Sequence, residues 1–218
     1  MANEEHLRRL REAVVAWNRW RKENHIIPLL EGADLSGANL EIANLQEADL
    51  RSANLIEANL TGADLGKASL RGANLLAANL RGSDLEGANL WGADLQKADL
   101  SGANLQGADL WAANLRRAHL ERANLCGANL QKADLSAAIL ENANLQEADL
   151  RSAKLIQANL AGADLTNASL RGADLWAANI SGANLQGADL ALSSGLSQKD
   201  IAKAKTDKTT KLPDYLSF

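Results

Sequence analysis

Large rings are scarce in this chain. Of 218 residues one is Phe, one is Tyr and five are Trp, so aromatics make up 3%. A conventional globular core uses more of them, and the interior must be filled in another way. A lone cysteine, Cys126, excludes an intramolecular disulfide framework and leaves the redox compartment open. No run of about 18 apolar residues exists that could span a bilayer, and mean hydropathy is −0.23. The opening stretch MANEEHLRRLREAVVAWNRW lacks the apolar central region of a secretory signal, so a soluble, cytoplasmic protein is expected. A net charge of −4 is too weak to argue for nucleic acid or an anionic membrane as partner.

What the chain has instead is Leu at every fifth residue. Centres fall on each multiple of five from Leu35 to Leu190, which makes 32, and all are Leu except Ile180. Two residues before each centre stands Ala, with Ser83 the one exception, and Asp or Asn usually lies between. On an α-helix a five-residue step turns about 140° net, so the leucines would spiral around every side. On a straight strand five is odd, and successive leucines would alternate between faces. The Ala and Leu of one repeat lie two apart, however, which puts both on one side of a short extended segment. If the chain turns a corner in the remaining residues, the next pair points inward again. Four right angles close a square of 20 residues, and 32 repeats make 8 coils, a rod of about 38 Å at strand spacing. Leu fills the axis and Ala leaves room where the walls are close.

Asn or Asp before the centre can hydrogen-bond nearby backbone in a tight turn. Gly stands two after the centre in 13 of 32 repeats, but Glu47, Ala112 and Arg117 occupy the same position elsewhere. On that ground the turn is not expected to demand positive φ.

This A[D/N]LXX pattern resembles the pentapeptide-repeat family, and both flanks resemble members from photosynthetic bacteria. The resemblance implies an all-β fold, a right-handed quadrilateral β-helix. Departures fall before the centre, at Ser69, His119, Ile139, Lys154 and Ser169, a position that faces outward. Residues 40–80 match residues 140–180 at 32 of 41 positions. The offset of 100 is five whole coils, the mark of a duplication that kept the square's phase.

An open solenoid needs caps. Three segments are expected: 1–27 as an amphipathic helix, 28–191 as the β-helix and 192–218 as a C-terminal cap. Leu7, Leu10, Val14 and Trp17 form one helical stripe with Trp20 beside it; Asn3 suits the N-cap and Pro28 ends the helix. That helix is read as a cap over the first coil, with a dimerisation helix or an interfacial membrane helix as alternatives. Ser197 and Asp200 have capping-box spacing, Leu196 and Ile201 staple spacing. A short helix over 198–205 is expected, then TKLPDYL extended.

Nothing in the sequence points to catalysis, a cofactor or a metal. His6, His25 and His119 are scattered, and neither CxxC nor HExxH occurs. Cys126 falls at a corner and should be exposed. Asp64 stacks over Asp84 with no third ligand, too few for a cation, and Lys154 falls between Asp134 and Asp174, where it would offset their charges.

Residues 20 apart should stack into columns. One corner reads Arg51, Arg71, Trp91, Trp111, Gln131, Arg151, Arg171. The next reads Ser36, Ile56, Leu76, Gln96, Arg116, Ser136, Ile156, Trp176, and the two opposite corners are polar. Trp and Arg are the types enriched at binding hot spots. The side between these corners is therefore expected to bind a protein partner or a second copy of the chain. Two alternatives differ in class. Family members that confer quinolone resistance imitate duplex DNA to inhibit gyrase; a rod of this length would need on the order of 22 negative charges. Residues 32–190 hold 19 acids and 12 bases, and no centre is Phe as in those members. The other alternative is carbohydrate or small-molecule binding along the Trp ladder.

Overall fold

The computed structural model, described for residues 1–216, is a square solenoid closed at both ends. Parallel bridges join residues 20 apart without interruption from Leu29↔Asp49 to Asp174↔Ser194. Four columns of bridges mark four sides, starting at Leu29, Asp34, Asn39 and Asn44. Each side is a single residue pair wide, because the chain turns before a longer strand can form. The right-handed quadrilateral β-helix anticipated from the repeat is therefore present. Its ladder follows one rule: the N–H before a centre donates one coil back, as from Asn59 to Ala38 at 2.9 Å, and the centre's own N–H donates one coil forward, as from Leu40 to Asn59 at 2.7 Å.

All 32 centres are buried, none more than 2% exposed. At roughly 1.5–3 kcal/mol per buried side chain this column supplies ample driving force without rings. Ser83 is tolerated in place of Ala because its hydroxyl donates to the Leu80 carbonyl at 2.7 Å.

Every Asp or Asn before a centre accepts the N–H of the residue after that centre, as from Cys126 to Asn124 Oδ1 at 3.2 Å. Neighbouring amides also link coils: Asn104 donates to Asp84, Asn124 to Asn104 and Asn144 to Asn124, all at 3.0 or 3.1 Å. The five departures lose the first bond but keep their bridges, for example Lys154 with Asp134 and Asp174.

The turn expectation is overturned. The second residue after every centre has positive φ, between 52° and 61° at the 19 non-glycine positions, Glu47, Ala112 and Arg117 among them. A bond from the residue three after the centre back to the centre's carbonyl closes each turn, as from Ala38 to Leu35 at 3.1 Å. A type II turn requires left-handed backbone at that place. Side chains are accepted there because the same residue's N–H is fixed across the coil, as from Glu47 to the Gly66 carbonyl at 2.8 Å. Each left-handed side chain costs roughly 1–2 kcal/mol, and the stacked ladder on both sides imposes it.

The N-terminal cap is two helices rather than one, α1 over Glu4–Glu12 and α2 over Val14–Glu23. Ala13 between them is extended, with φ −165° and ψ 124°. A straight helix would hold Leu7 and Trp17 about 15 Å apart on one line; the break turns both onto the end of the square. Asn3 caps α1 as expected, accepting from Glu5 and His6 N–H. Leu7, Leu10 and Trp17 are buried, and Val14 and Trp20 are half-buried against them.

These helices also serve the open edge of the first coil. Trp17 Nε1 donates to the Asn44 carbonyl at 2.8 Å, Asn18 Oδ1 accepts from Asn44 N–H at 2.8 Å, and Arg21 donates to the Gln46 carbonyl at 2.8 Å. Leu29 N–H donates to His6 Nδ1 at 3.1 Å, and Asn3 N–H donates to the Leu29 carbonyl at 2.8 Å.

His6 can accept that bond only while Nδ1 is unprotonated. Burial lowers its pKa below the ordinary value near 6.5, and the Arg21 charge adds to this. A depressed histidine contributes stability that is fully present above about pH 6.5 and is lost as pH falls through the folded-state value. Protection of the Leu29 amide, measured against the free-chain exchange rate at the same pH, should therefore fall on acidification below pH 6.5, and His6→Gln should remove that step. An unchanged exchange profile in the variant would break the link.

At the other end, α3 spans only Gln198–Ile201, shorter than expected, with the Ser197–Asp200 capping box formed. Leu196 and Ile201 are both buried. TKLPDYL is not fully extended: Lys211 pairs with Asp189, and Asp214–Leu216 is a 3-10 turn after Pro213. Lys205 pairs with Asn184, so the tail continues the ladder on two sides after the repeats stop. Asp207 ties the turn between them, with its pKa lowered to about 2 chiefly by the Thr209 hydroxyl.

Candidate interaction surface

Each turn throws the side chain after a centre outward at a corner, and the 20-residue register sets such side chains in columns. Trp91 and Trp111 are stacked, with ring centroids 5.2 Å apart and planes at 16°. The Arg71 guanidinium lies 4.0 Å from the Trp91 ring centre, and Lys132 Nζ lies 5.1 Å from that of Trp111. Two rings are thus held between two cations along one corner. Each cation–π contact at such an exposed site is worth about 0.5–1 kcal/mol.

Arg51 and Arg151 belong to the same column but are held by carboxylates. Arg51 meets Asp49 at 2.7 Å and Glu31 at 3.3 Å, and Arg151 meets Asp149 at 2.6 Å. The Arg51 hydrogen bonds keep the Asp49 carboxyl below its usual range. Burial raises Asp149, yet the bonds from Arg151 outweigh it and the net shift is downward. Arg71, Lys132 and Arg171 make no ion pair among the described residues.

On the neighbouring corner Ile56, Leu76 and Ile156 are half-buried, and Arg116 meets Asp134 at 3.3 Å. Trp176 is 59% exposed at the last coil. The structure therefore brings Arg71, Trp91 and Trp111 into one stack and leaves Trp176 outside it. Lys132 is the second residue of its corner, so it is absent from the column of first corner residues and appears only in the column of second ones.

Charge divides along the same line. Between residues 32 and 190, this side with its two corners holds nine of the twelve bases and five of the nineteen acids, a net +4. The rest of the solenoid carries three bases and fourteen acids, a net −11.

Other sequence-marked residues lie elsewhere. His119 meets Glu121 at 3.4 Å, while Asp99 in its column pairs with Arg81 at 3.2 Å. Lys154 makes no ion pair among the described residues, and its neighbour Asp134 pairs with Arg116 instead. Cys126 is half-buried rather than exposed, its backbone tied to Asn124. Among the described residues no group of three or more His, Cys, Asp or Glu could hold a metal ion. None of their helices is long and apolar enough to cross a membrane.

A closed square ladder with one aromatic, cationic corner defines a repeat solenoid of the quadrilateral β-helix class. The chain belongs to the pentapeptide repeat family, whose model matches in successive blocks from residue 33 to 193. It is 38% identical to HetL, a pentapeptide repeat protein involved in heterocyst differentiation regulation from the cyanobacterium Nostoc, over 85% of this chain and 81% of HetL, with a TM-score of 0.46. QnrB1, a plasmid-mediated fluoroquinolone resistance protein, is 19% identical over 78% of this chain and 87% of its own, with a TM-score of 0.68. A pentapeptide repeat protein from the thylakoid lumen of Arabidopsis thaliana is 39% identical, covering 44% of this chain and 66% of its own at a TM-score of 0.26. No curated protein matches the chain.

Proposed function

We propose that the protein is a non-catalytic interaction scaffold that binds a protein partner through the corner built by Arg71, Trp91, Trp111 and Lys132. The observation that carries this reading is the stack itself: two nearly parallel rings 5.2 Å apart between cations that no carboxylate among the described residues engages. Rigid aromatic anchors beside Arg are the usual energetic centre of a protein interface. The +4 side on an otherwise acidic rod favours a partner surface bearing carboxylates, because complementary charge steers encounter and rejects the wrong side of the rod.

Imitation of duplex DNA is less well supported. It needs on the order of 22 negatives along about 38 Å, whereas the repeat segment nets −7 and concentrates its bases on one side.

Trp91→Ser with Trp111→Ser should leave the thermal midpoint within a few degrees, since both rings stand outside the leucine column. Partner recovered by affinity capture from the native organism should fall about 30-fold or more, the scale of losing a hot spot of about 2 kcal/mol. Equal recovery by the double variant and the parent sinks the reading.

A further inference from the structure

The cap does not treat the four sides of the first coil alike. On the sides starting at Leu29 and Asn44, side chains or backbone of the cap pair with both the N–H and the C=O of those two residues. On the side starting at Asp34, Arg11 reaches the Asp34 carbonyl at 2.5 Å. On the third side, among the described residues, nothing pairs with the N–H or C=O of Asn39 or with the C=O of Glu41.

This stretch, bare as far as the Ile42 carbonyl that Asn18 Nδ2 meets at 2.9 Å, floors a cleft of about 570 Å³ roofed by the break between α1 and α2. Leu10, Val14, Val15 and Ile42 give it apolar walls, and Val15 and Ile42 are 70% and 61% exposed. Unpaired strand edges are places where another chain adds on, and a polar edge between apolar walls suits an extended peptide, which brings both main-chain groups and side chains.

We propose that residues 38–42 are a docking site for an extended segment of a partner polypeptide, which runs parallel to them and continues the ladder by one strand. The ladder below fixes the bonding. Asn59 donates to Ala38 and accepts from Leu40, and the turn position Ile42 donates to the Thr61 carbonyl. Translated up by one coil, a carbonyl of the guest accepts from Asn39 N–H. The guest's N–H two residues later donates to the Asn39 carbonyl, and the N–H two further on donates to the Glu41 carbonyl. A guest side chain on the helix side packs against Val15 and Ile42.

The site is independent of the tryptophan corner, so either can fail alone. The probe is a phage-displayed library of random dodecapeptides selected on the full chain. Enriched peptides, made synthetically, should slow amide exchange at Asn39 at least tenfold. Methylating the peptide's backbone nitrogens one at a time should abolish binding at alternate positions only. Val15→Glu with Ile42→Asp, both at exposed positions, should lose binding. The proposal is overturned by no enrichment, by peptides that leave Asn39 exchange unchanged, or by methylation without alternation. It is equally overturned if sedimentation shows that the free chain self-associates and that dissociation bares Asn39, since the occupant is then a second copy.

Discussion

Gly195→Ala should cost the C-terminal end about 3 kcal/mol or more, the range reserved for strain that neighbours cannot absorb. Gly195 has φ +92°, and a Cβ built on it would lie 2.2 Å from the Trp176 nitrogen and 2.4 Å from its Cα. Both are backbone atoms of the last coil, so no rotamer change can make room. Gly187 looks similar, with a Cβ 2.2 Å from Asn167 Oδ1, but there a flexible amide can swing away. The expected result is that the segment after Ser194 detaches as a unit: limited proteolysis should cut between Gly195 and Lys211, and Trp176 emission should shift to the red. The solenoid, held coil by coil, should keep its far-ultraviolet spectrum. A Gly195→Ala protein as resistant to protease as its parent would mean that this crossing is looser than 2.2 Å implies.

Trp17→Ala should open the other end. The ring is fully buried, and its N–H occupies the Asn44 carbonyl at 2.8 Å. Truncating a buried Trp costs about 3–5 kcal/mol, equivalent to about a hundredfold to a few-thousandfold faster exchange of the amides it protects. That acceleration should appear at Asn44 and along the first coil and fade within a coil or two, because each coil contacts only its neighbours. Trp17→Phe separates the two contributions. It retains most of the packing and bares only the carbonyl, and should cost about 1–2 kcal/mol. If exchange at Asn44 is unmoved in Trp17→Ala, the helix pair is an ornament and not a lid.

The square, its phase and the Trp91–Trp111 neighbourhood were legible because a spacing of five admits few geometries that bury every leucine. The left-handed turn residues were not. Seeing Glu47 and Arg117 where Gly also occurs suggested an undemanding backbone, but conformation there is dictated by bonds to residues about 20 positions away, which no local preference records. Likewise the break at Ala13 answers to the width of the coil beneath it. Nothing in AVVAW marks it, and the periodic stripe ran straight through. Lys132 and the division of charge were readable in principle, since both follow from the columns once every outward position is written down.

The identity between residues 40–80 and 140–180 takes on a mechanical meaning in this light. A gene that grows by twenty codons, or by any multiple of twenty, adds length while every outward stripe stays in line. An insertion of five codons preserves the leucine axis just as well but swings everything beyond it through a quarter turn. Evolution thus has two separate dials on one molecule, reach and bearing, and the hundred-residue copy in this chain moved only the first.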